Sequence, residues 1–326
     1  MRILVTGAAG FIGSHYVRTM LAGGYPGYED ARVTVLDKLT YAGNRDNLPA
    51  SHPRLEFVEG DICDLPLLCE LLPGHDAVVH MAAESHVDRS IEAAADFIRT
   101  NVGGTQTVLE ACLRSGIDRI VHVSTDEVYG SIATGSWTEE WPLQPNSPYA
   151  ASKASSDLVA RAYTRTHGLN LSITRCSNNY GPYQHPEKLI PLFVTNLLEG
   201  RPVPLYGDGS NVREWLHVDD HCRGIQLVLA QGRAGEVYNI GGGNEYTNLE
   251  ITKLLLELCG ADDSMIRPVA DRKGHDLRYS IDEGKIRRAL GYEPRIAFDR
   301  GLADTVAWYR DNPGWWKGVR RGGPAK

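Results

Sequence analysis

The chain has 326 residues, a formal net charge of -7 and a pI near 5.9. That acidic balance, with no basic stripe interleaved with aromatics, argues against a nucleic-acid partner. No apolar run reaches the roughly eighteen residues a membrane span needs, and the length suits one large α/β domain plus a smaller one.

Met1 to Thr6 is a short apolar run of the kind expected for a strand buried on both faces in a parallel sheet. It is too short, and too soon broken by glycines, for a signal peptide. Gly7, Gly10 and Gly13 follow, a spacing that permits a tight turn, close approach of backbone to a pyrophosphate, and a helix beginning near Phe11. A second run, Val33 to Leu36, ends in Asp37, where a ribose-reading carboxylate belongs. Asp37 would bind the adenosine 2′-hydroxyl and repel a 2′-phosphate, favouring NAD over NADP, with Lys38 next door pulling the other way. Glycines after a strand can be a mere strand-helix turn, but Asp37 beyond them favours the cofactor.

Further strands are expected at 55–58, 77–80, 119–124, 171–175 and 236–240, and helices at about 92–115, 149–167 and 218–230. That alternation predicts a Rossmann-type, doubly wound parallel sheet. Pro- and Gly-rich loops break the rhythm after residue 178. The expected division is an NAD-binding domain of residues 1–178 and about 216–244, with a discontinuous C-terminal lobe of about 179–215 and 245–326, and a ligand cleft between them. Cysteines 63, 69, 112, 176, 222 and 259 form no Cys-x-x-Cys pair and suit reduced core thiols of a cytosolic protein. The tail from Lys317 to Lys326 reads as frayed.

Chemistry concentrates where ligands of this fold sit, outside the carboxyl ends of the strands. Ser124-Thr-Asp-Glu127 leaves such an end, and its paired carboxyls, Asp126 and Glu127, suggest more than hydride transfer. Tyr149 and Lys153, four apart on a helix, share a face, where the lysine's charge is expected to lower the phenol's pKa. So tuned, Tyr149 takes a hydroxyl proton while a nicotinamide takes the hydride, with Thr125 bonding the same oxygen. Taken alone, Tyr-x-x-x-Lys is a common chance pair and two adjacent carboxylates are commonly solvated; the glycine turn, Asp37 and Thr125 lift both.

These residues resemble the extended short-chain dehydrogenase/reductase family, in its nucleotide-sugar 4,6-dehydratase branch. The likeness runs from Met1 to about Trp308 through Ala82-Ala-Glu-Ser-His-Val-Asp-Arg-Ser90, Ser124 to Gly130, Tyr149 to Lys153, Arg175 to Pro182, Asn211 to Asp220 and Gly274 to Tyr279. Thr125-Asp-Glu127 is the specific signature, since related epimerases tend to carry small or neutral residues there. Leu277 departs from the arginine usual in the family's Gly-His-Asp-Arg-Arg-Tyr.

The resemblance implies a hydro-lyase acting on dTDP-glucose with recycled NAD. Tyr149 would take the 4-hydroxyl proton as hydride leaves C4, Glu127 would remove the C5 proton, and Asp126 would protonate the departing C6 hydroxyl before the hydride returns to C6. Asp126 should then be protonated and Glu127 ionised. Beside the three glycines, the resemblance implies NAD contacts at Phe11, Ile12, Asp37, Lys38, Leu39, Thr40, Asp61, Ile62, Ala82, Ala83, Thr100, Tyr149, Lys153 and Asn179. It implies nucleotide-sugar contacts at Ser85, Thr125, Asn178, Lys188, Leu189, Pro204, Tyr206, Arg213, Asn248, His275 and Tyr279. No metal is implied. The helices at 92–115 and 149–167 resemble a family dimer interface, although apolar faces at helical spacing are equally what core packing produces. Two other readings fit the fold: a 4-epimerase or decarboxylase of a UDP-sugar, and a catalytically silent NAD-binding regulator. The acid-base pair weighs against the first, and the intact Tyr149, Lys153 and Glu127 against the second.

Overall fold

The structure, a computed structural model, describes residues 1–321. Its strands are β1 (Arg2–Thr6), β2 (Arg32–Asp37), β3 (Leu55–Glu59), β4 (Ala77–His80), β5 (Arg119–Thr125), β6 (Leu171–Cys176), β7 (Asn178–Tyr180), β8 (Val203–Tyr206), β9 (Val212–His217), β10 (Val237–Ile240), β11 (Asn244–Thr247) and β12 (Ile266–Val269). Seven of them form one parallel sheet in the order β3-β2-β1-β4-β5-β6-β10. The order reverses between β1 and β4, and the crevice at that switch point is where this topology binds ligands. The doubly wound sheet expected from the sequence is therefore present.

Strand alternation sorts the core into two layers. Ile3, Val5, Val33, Val35 and Val121 pack under helices Phe11–Leu21 and Val218–Gln231, while Leu4, Leu36, Val78 and Ile120 pack under Thr105–Ser115 and Pro148–His167. Each fully buried aliphatic contributes about 1.5–3 kcal/mol over its exposed state. A third cluster, including Phe193, Trp215, Ile251, Leu255, Phe298 and Trp316, gathers C-terminal segments. Two small sheets accompany it, β11-β9-β7 and β12-β8.

The helix expected at 92–115 is interrupted. Val87–Glu92 stops at Ala93, and Ile98–Gly104 forms a π-helical segment between Ala94–Phe97 and Thr105–Ser115. The widened turn carries Asn101, whose amide exchanges hydrogen bonds with the Glu84 main chain (2.8 and 3.0 Å) and donates to Ser152 Oγ at 2.8 Å. That one side chain ties the loop after β4 to the helix bearing Tyr149 and Lys153.

The tail differs from expectation. Lys317 to Arg321 complete a helix, Pro313–Arg321, because Trp316 is buried and donates to the Tyr309 carbonyl at 2.8 Å; the remaining tail residues, 322–326, lie outside the described ones. All six cysteines are free, but only Cys112, Cys176 and Cys222 are buried; Cys63, Cys69 and Cys259 are partly exposed. Among the described residues no helix is long and apolar enough to cross a membrane, and no cluster suited to a metal occurs.

Candidate active site

The glycine turn joins β1 to the helix that begins at Phe11. A Cβ at Gly7 would stand 2.6 Å from Ala82 Cα, and one at Gly13 2.6 Å from Ala8 Cα, so both positions require glycine for close approach. The first helical turn has no side-chain cap and no acidic residue, leaving its amides available to an anion. Asp37, buried at the end of β2, accepts from Ala9 N at 2.9 Å and Leu39 N at 2.8 Å; burial raises its pKa against those two bonds. Leu39 is left-handed, with φ of 53°. The Lys38 ammonium is drawn 2.8 Å from Asp61, whose carboxyl is lowered because that bond and the Cys63 amide outweigh its burial.

One cleft of about 360 Å³ opens along the carboxyl edge of the sheet. Its walls include Gly7, Gly10, Phe11, Ile12, Gly13, Asp37, Lys38, Thr40, Asp61, Ile62, Ala82, Ala83 and Thr100, then continue through Thr125, Asp126, Glu127, Tyr149, Lys153 and Asn179. Ser85, Asn178, Lys188 and Leu189 line the same space. Leu39 is the one expected cofactor contact that does not line it. An anion-accepting helix start, a ribose-height carboxylate and a Tyr-Lys pair in one cleft fit a nicotinamide dinucleotide.

The carboxyl pair sits on a short 3-10 turn, Asp126–Tyr129, whose start is capped by Thr125 Oγ1 accepting from Glu127 N at 3.3 Å. Gly130 ends it at φ of 90°, where a Cβ would press to 2.3 Å from the Gln144 carbonyl oxygen. Asp126 is 1% exposed; its Oδ1 accepts from Thr125 Oγ1 at 3.2 Å, and its Oδ2 has no partner in the protein. Burial, then the charges of Glu127 and Glu214, push its pKa well up. Burial also raises Glu127, but three cations, Lys188, Arg272 and Arg213, oppose the rise. The two neighbours thus stand in unlike fields, Asp126 disposed to keep a proton and Glu127 better able to release one.

Tyr149 enters the cleft at the head of helix Pro148–His167, started by the Ser147 cap and a proline in its first turn. The expected lowering of its phenol is not found. Burial raises its pKa well above the usual value, Glu127, Cys176 and Asp126 add to the rise, and the hydrogen bond with Thr125 opposes it. Lys153 does not offset this; its Nζ donates to the Val123 carbonyl at 2.8 Å, and burial lowers its own pKa.

The remaining expected sugar-nucleotide contacts form a second group outside that wall. Arg213, on β9, lies 4.3 Å over the Tyr279 ring and donates to the Asp276 carbonyl at 3.0 Å. His275 is held by Asp271 at 2.7 Å and faces the Tyr206 ring at 6.2 Å. Asn248 donates its main-chain N–H to the Asn211 carbonyl at 2.9 Å, and its buried side-chain Oδ1 has no partner in the protein. Pro204 lies on β8, paired with Arg267 of β12. The group adjoins the cleft, since Arg213 and Asp276 both act on Glu127. Leu277 is exposed, which suits the loss of a charged side chain there.

Several site residues escaped the sequence reading. Arg272 acts on Glu127 and has a buried Nε without a partner. Glu187 draws together Arg89 (3.6 Å), His86 and His185 (each 3.8 Å) beside Lys188. Glu214, 1% exposed, is cradled by the N–H groups of Gly242, Gly243 and Ile281 at 2.9–3.1 Å. Each had a readable signal in its neighbours: Arg272 stands three residues before His275, Glu187 directly before Lys188, and Glu214 directly after Arg213.

Comparison with known proteins comes to the same place. A family model described as GDP-mannose 4,6 dehydratase matches residues 4–305. A dTDP-glucose 4,6-dehydratase of Streptomyces niveus is 61% identical over 98% of this chain and 96% of its own length. Among solved structures, the dTDP-glucose 4,6-dehydratase of Streptomyces venezuelae, with NAD bound, is 68% identical with a TM-score of 0.97, covering 98% of this chain and all (100%) of that one. A UDP-glucose 4-epimerase of Thermus thermophilus in complex with NAD is more distant, 33% identical at a TM-score of 0.87 over 96% of this chain and 100% of its own.

Proposed function

The chain belongs to the GDP-mannose 4,6 dehydratase family, and on that premise we propose that it is an NAD-dependent hydro-lyase that converts dTDP-glucose to dTDP-4-keto-6-deoxyglucose and water. The observation that carries this reading is the unlike pair at the end of β5: a buried Asp126 with an unpartnered oxygen beside a Glu127 faced by three cations. An epimerase needs no acid and base there.

In the proposed reaction Tyr149 takes the proton of the sugar 4-hydroxyl, with Thr125 bonding the same oxygen. NAD, which the Gly7–Gly13 turn, Asp37 and Lys153 would hold, would supply when bound a positive ring charge, a hydride acceptor for C4 and the hydride needed at C6. The 4-ketone acidifies the neighbouring C5 proton, which Glu127 removes. Asp126 donates its proton to the C6 oxygen, which leaves as water. Glu127 then returns a proton to C5, so no net redox change remains. Within the protein alone burial, with the charges of Glu127 and Asp126, holds the proton on Tyr149, and the cofactor's positive ring would ease its release.

We assign the walls from Gly7 to Thr100, with Lys153 and Asn179, to NAD. Ser85, Asn178, Lys188, Leu189 and the Arg213 group, extended by Arg272, are assigned to the nucleotide-sugar, with Arg213 and Arg272 suited by their planar forks to a diphosphate. This divides the chain into a cofactor domain, 1–178 and about 216–244, and a sugar-nucleotide lobe, 179–215 and 245–326. Exposed Ile98, at the start of the π-helical segment, and Leu158, on helix Pro148–His167, support a homodimer across that face, and the six unpaired cysteines support a cytoplasmic enzyme. Incubation of the purified protein with dTDP-glucose tests the reading: loss of one water per sugar without accumulation of reduced nicotinamide supports it, and an unchanged mass refutes it.

A further inference from the structure

The Ala9 peptide, between the first two glycines of the turn, is fixed at both ends. Its N–H donates to Asp37 Oδ2 at 2.9 Å, and its carbonyl accepts from Asn47 Nδ2 at 2.8 Å and from Asn44 N at 3.0 Å. Asn47 is 3% exposed, and its other amide atom, Oδ1, accepts from the indole Nε1 of Trp315 at 2.9 Å. Trp315 lies on the C-terminal helix Pro313–Arg321, 268 residues along the chain.

A second path joins the same partners. Arg18 donates to the Asn47 carbonyl at 2.5 Å and lies 4.1 Å over the Tyr183 ring. That ring packs on Trp308 at 4.5 Å and Trp315 at 5.5 Å. Tyr183 is left-handed, with φ of 67°, a conformation a bulky residue keeps only when its surroundings impose it. The next residue, Gln184, lines the cleft and donates to the Asn179 carbonyl at 2.8 Å.

We infer that Trp315 and Asn47 are positioning residues through which the C-terminal helix holds the phosphate-binding turn in shape and sets how long NAD stays bound. Every polar atom of the Asn47 amide that matters here is used, one on the turn and one on the helix. Removing the indole N–H leaves a buried amide oxygen unpaired, and the amide is then free to turn away from Ala9. The glycine turn has little rigidity of its own, so its shape comes from such outside partners. The inference rests on the NAD reading of the cleft and goes beyond it, because neither residue lines that cleft.

The test is the release rate of labelled NAD from the purified protein, chased with excess unlabelled NAD. Trp315→Phe keeps the ring and removes the N–H; Asn47→Ser removes the amide. Each is expected to speed release about fivefold, the worth of one buried hydrogen bond, and the double variant is expected to be no faster than Asn47→Ser alone. Trp316→Phe is the control, since Trp316 loses an equivalent bond to the Tyr309 carbonyl within the C-terminal lobe without touching Asn47. Unchanged release in Trp315→Phe, additive effects in the double variant, or equal acceleration by Trp316→Phe overturns the inference. Failure of the unaltered protein to bind NAD overturns the cofactor reading as well, and is distinguishable from each of these.

Discussion

The Nζ of Lys153 donates to the main-chain oxygen of Val123 at 2.8 Å, fastening the helix that carries Tyr149 to the strand that leads into Asp126 and Glu127. Lys153 is 5% exposed, and burial lowers its pKa, so its charge is sensitive to what surrounds it. It is both a strut and a nearby cation for a phenol otherwise faced by acids.

Lys153→Met is therefore expected to reduce kcat by a factor on the order of 10²–10³ and to move the acidic limb of the rate profile, where Tyr149 must lose its proton to act as base, to higher pH. Lys153 lies one turn from Tyr149 on the same helix, whereas burial, Glu127 and Asp126 all hold the phenol's proton on. A pH series of steady-state rates checks both. A purely structural strut would lose rate without moving the limb.

Stability should fall on mild acidification. Burial holds His221 near 3, and burial with nearby cations holds His86 and His185 at about 4. Unfolded imidazoles titrate near pH ~6.5, so below that value the unfolded chain binds protons the folded chain refuses. The contribution is fully present above about pH 6.5 and is lost progressively as pH falls towards 4 and then 3. Thermal unfolding of the cofactor-free protein between neutral pH and about pH 4 checks it, and His221→Gln should flatten the decline.

A buried ionic network lies behind the catalytic helix. Asp157, wholly buried one turn after Lys153, meets Arg175 at 2.9 Å and His122 at 3.3 Å, and Arg175 donates to Tyr129 Oη at 2.8 Å. Burial alone would raise Asp157, but Arg175 and then His122 hold it down at about 2. Asp157→Ala strands the Arg175 charge in the core and is expected to cost roughly 3–5 kcal/mol, measurable by urea unfolding.

Much of this was legible in the sequence because it rests on local periodicity. Apolar runs marked the seven strands of the central sheet, Ser147-Pro148 and Gly168 bracket the helix that the Tyr-Lys spacing required, and Asp37 follows from its distance to the glycines. What stayed hidden depends on distant segments meeting. Tyr149 was expected to be acidified by its own helix neighbour, whereas burial and then the carboxyls of the turn after β5 decide the outcome. Glu187, Glu214 and Arg272 look like ordinary charges until the fold brings Glu187 into the cleft wall and sets Glu214 to act on Asp126 and Arg272 on Glu127. The basic tail read as frayed because composition alone cannot show that Trp316 has a buried place to go.

The most direct test of the central claim, that Asp126 and Glu127 divide acid and base work, is single-turnover analysis of Glu127→Gln with dTDP-glucose, following reduced-nicotinamide absorbance and sugar mass together. The amide cannot remove the C5 proton but leaves Tyr149 in place, so reduced nicotinamide should build up slowly while the sugar retains its C6 oxygen. Normal loss of water by this variant, with no build-up, would contradict the assignment of Glu127 as the base.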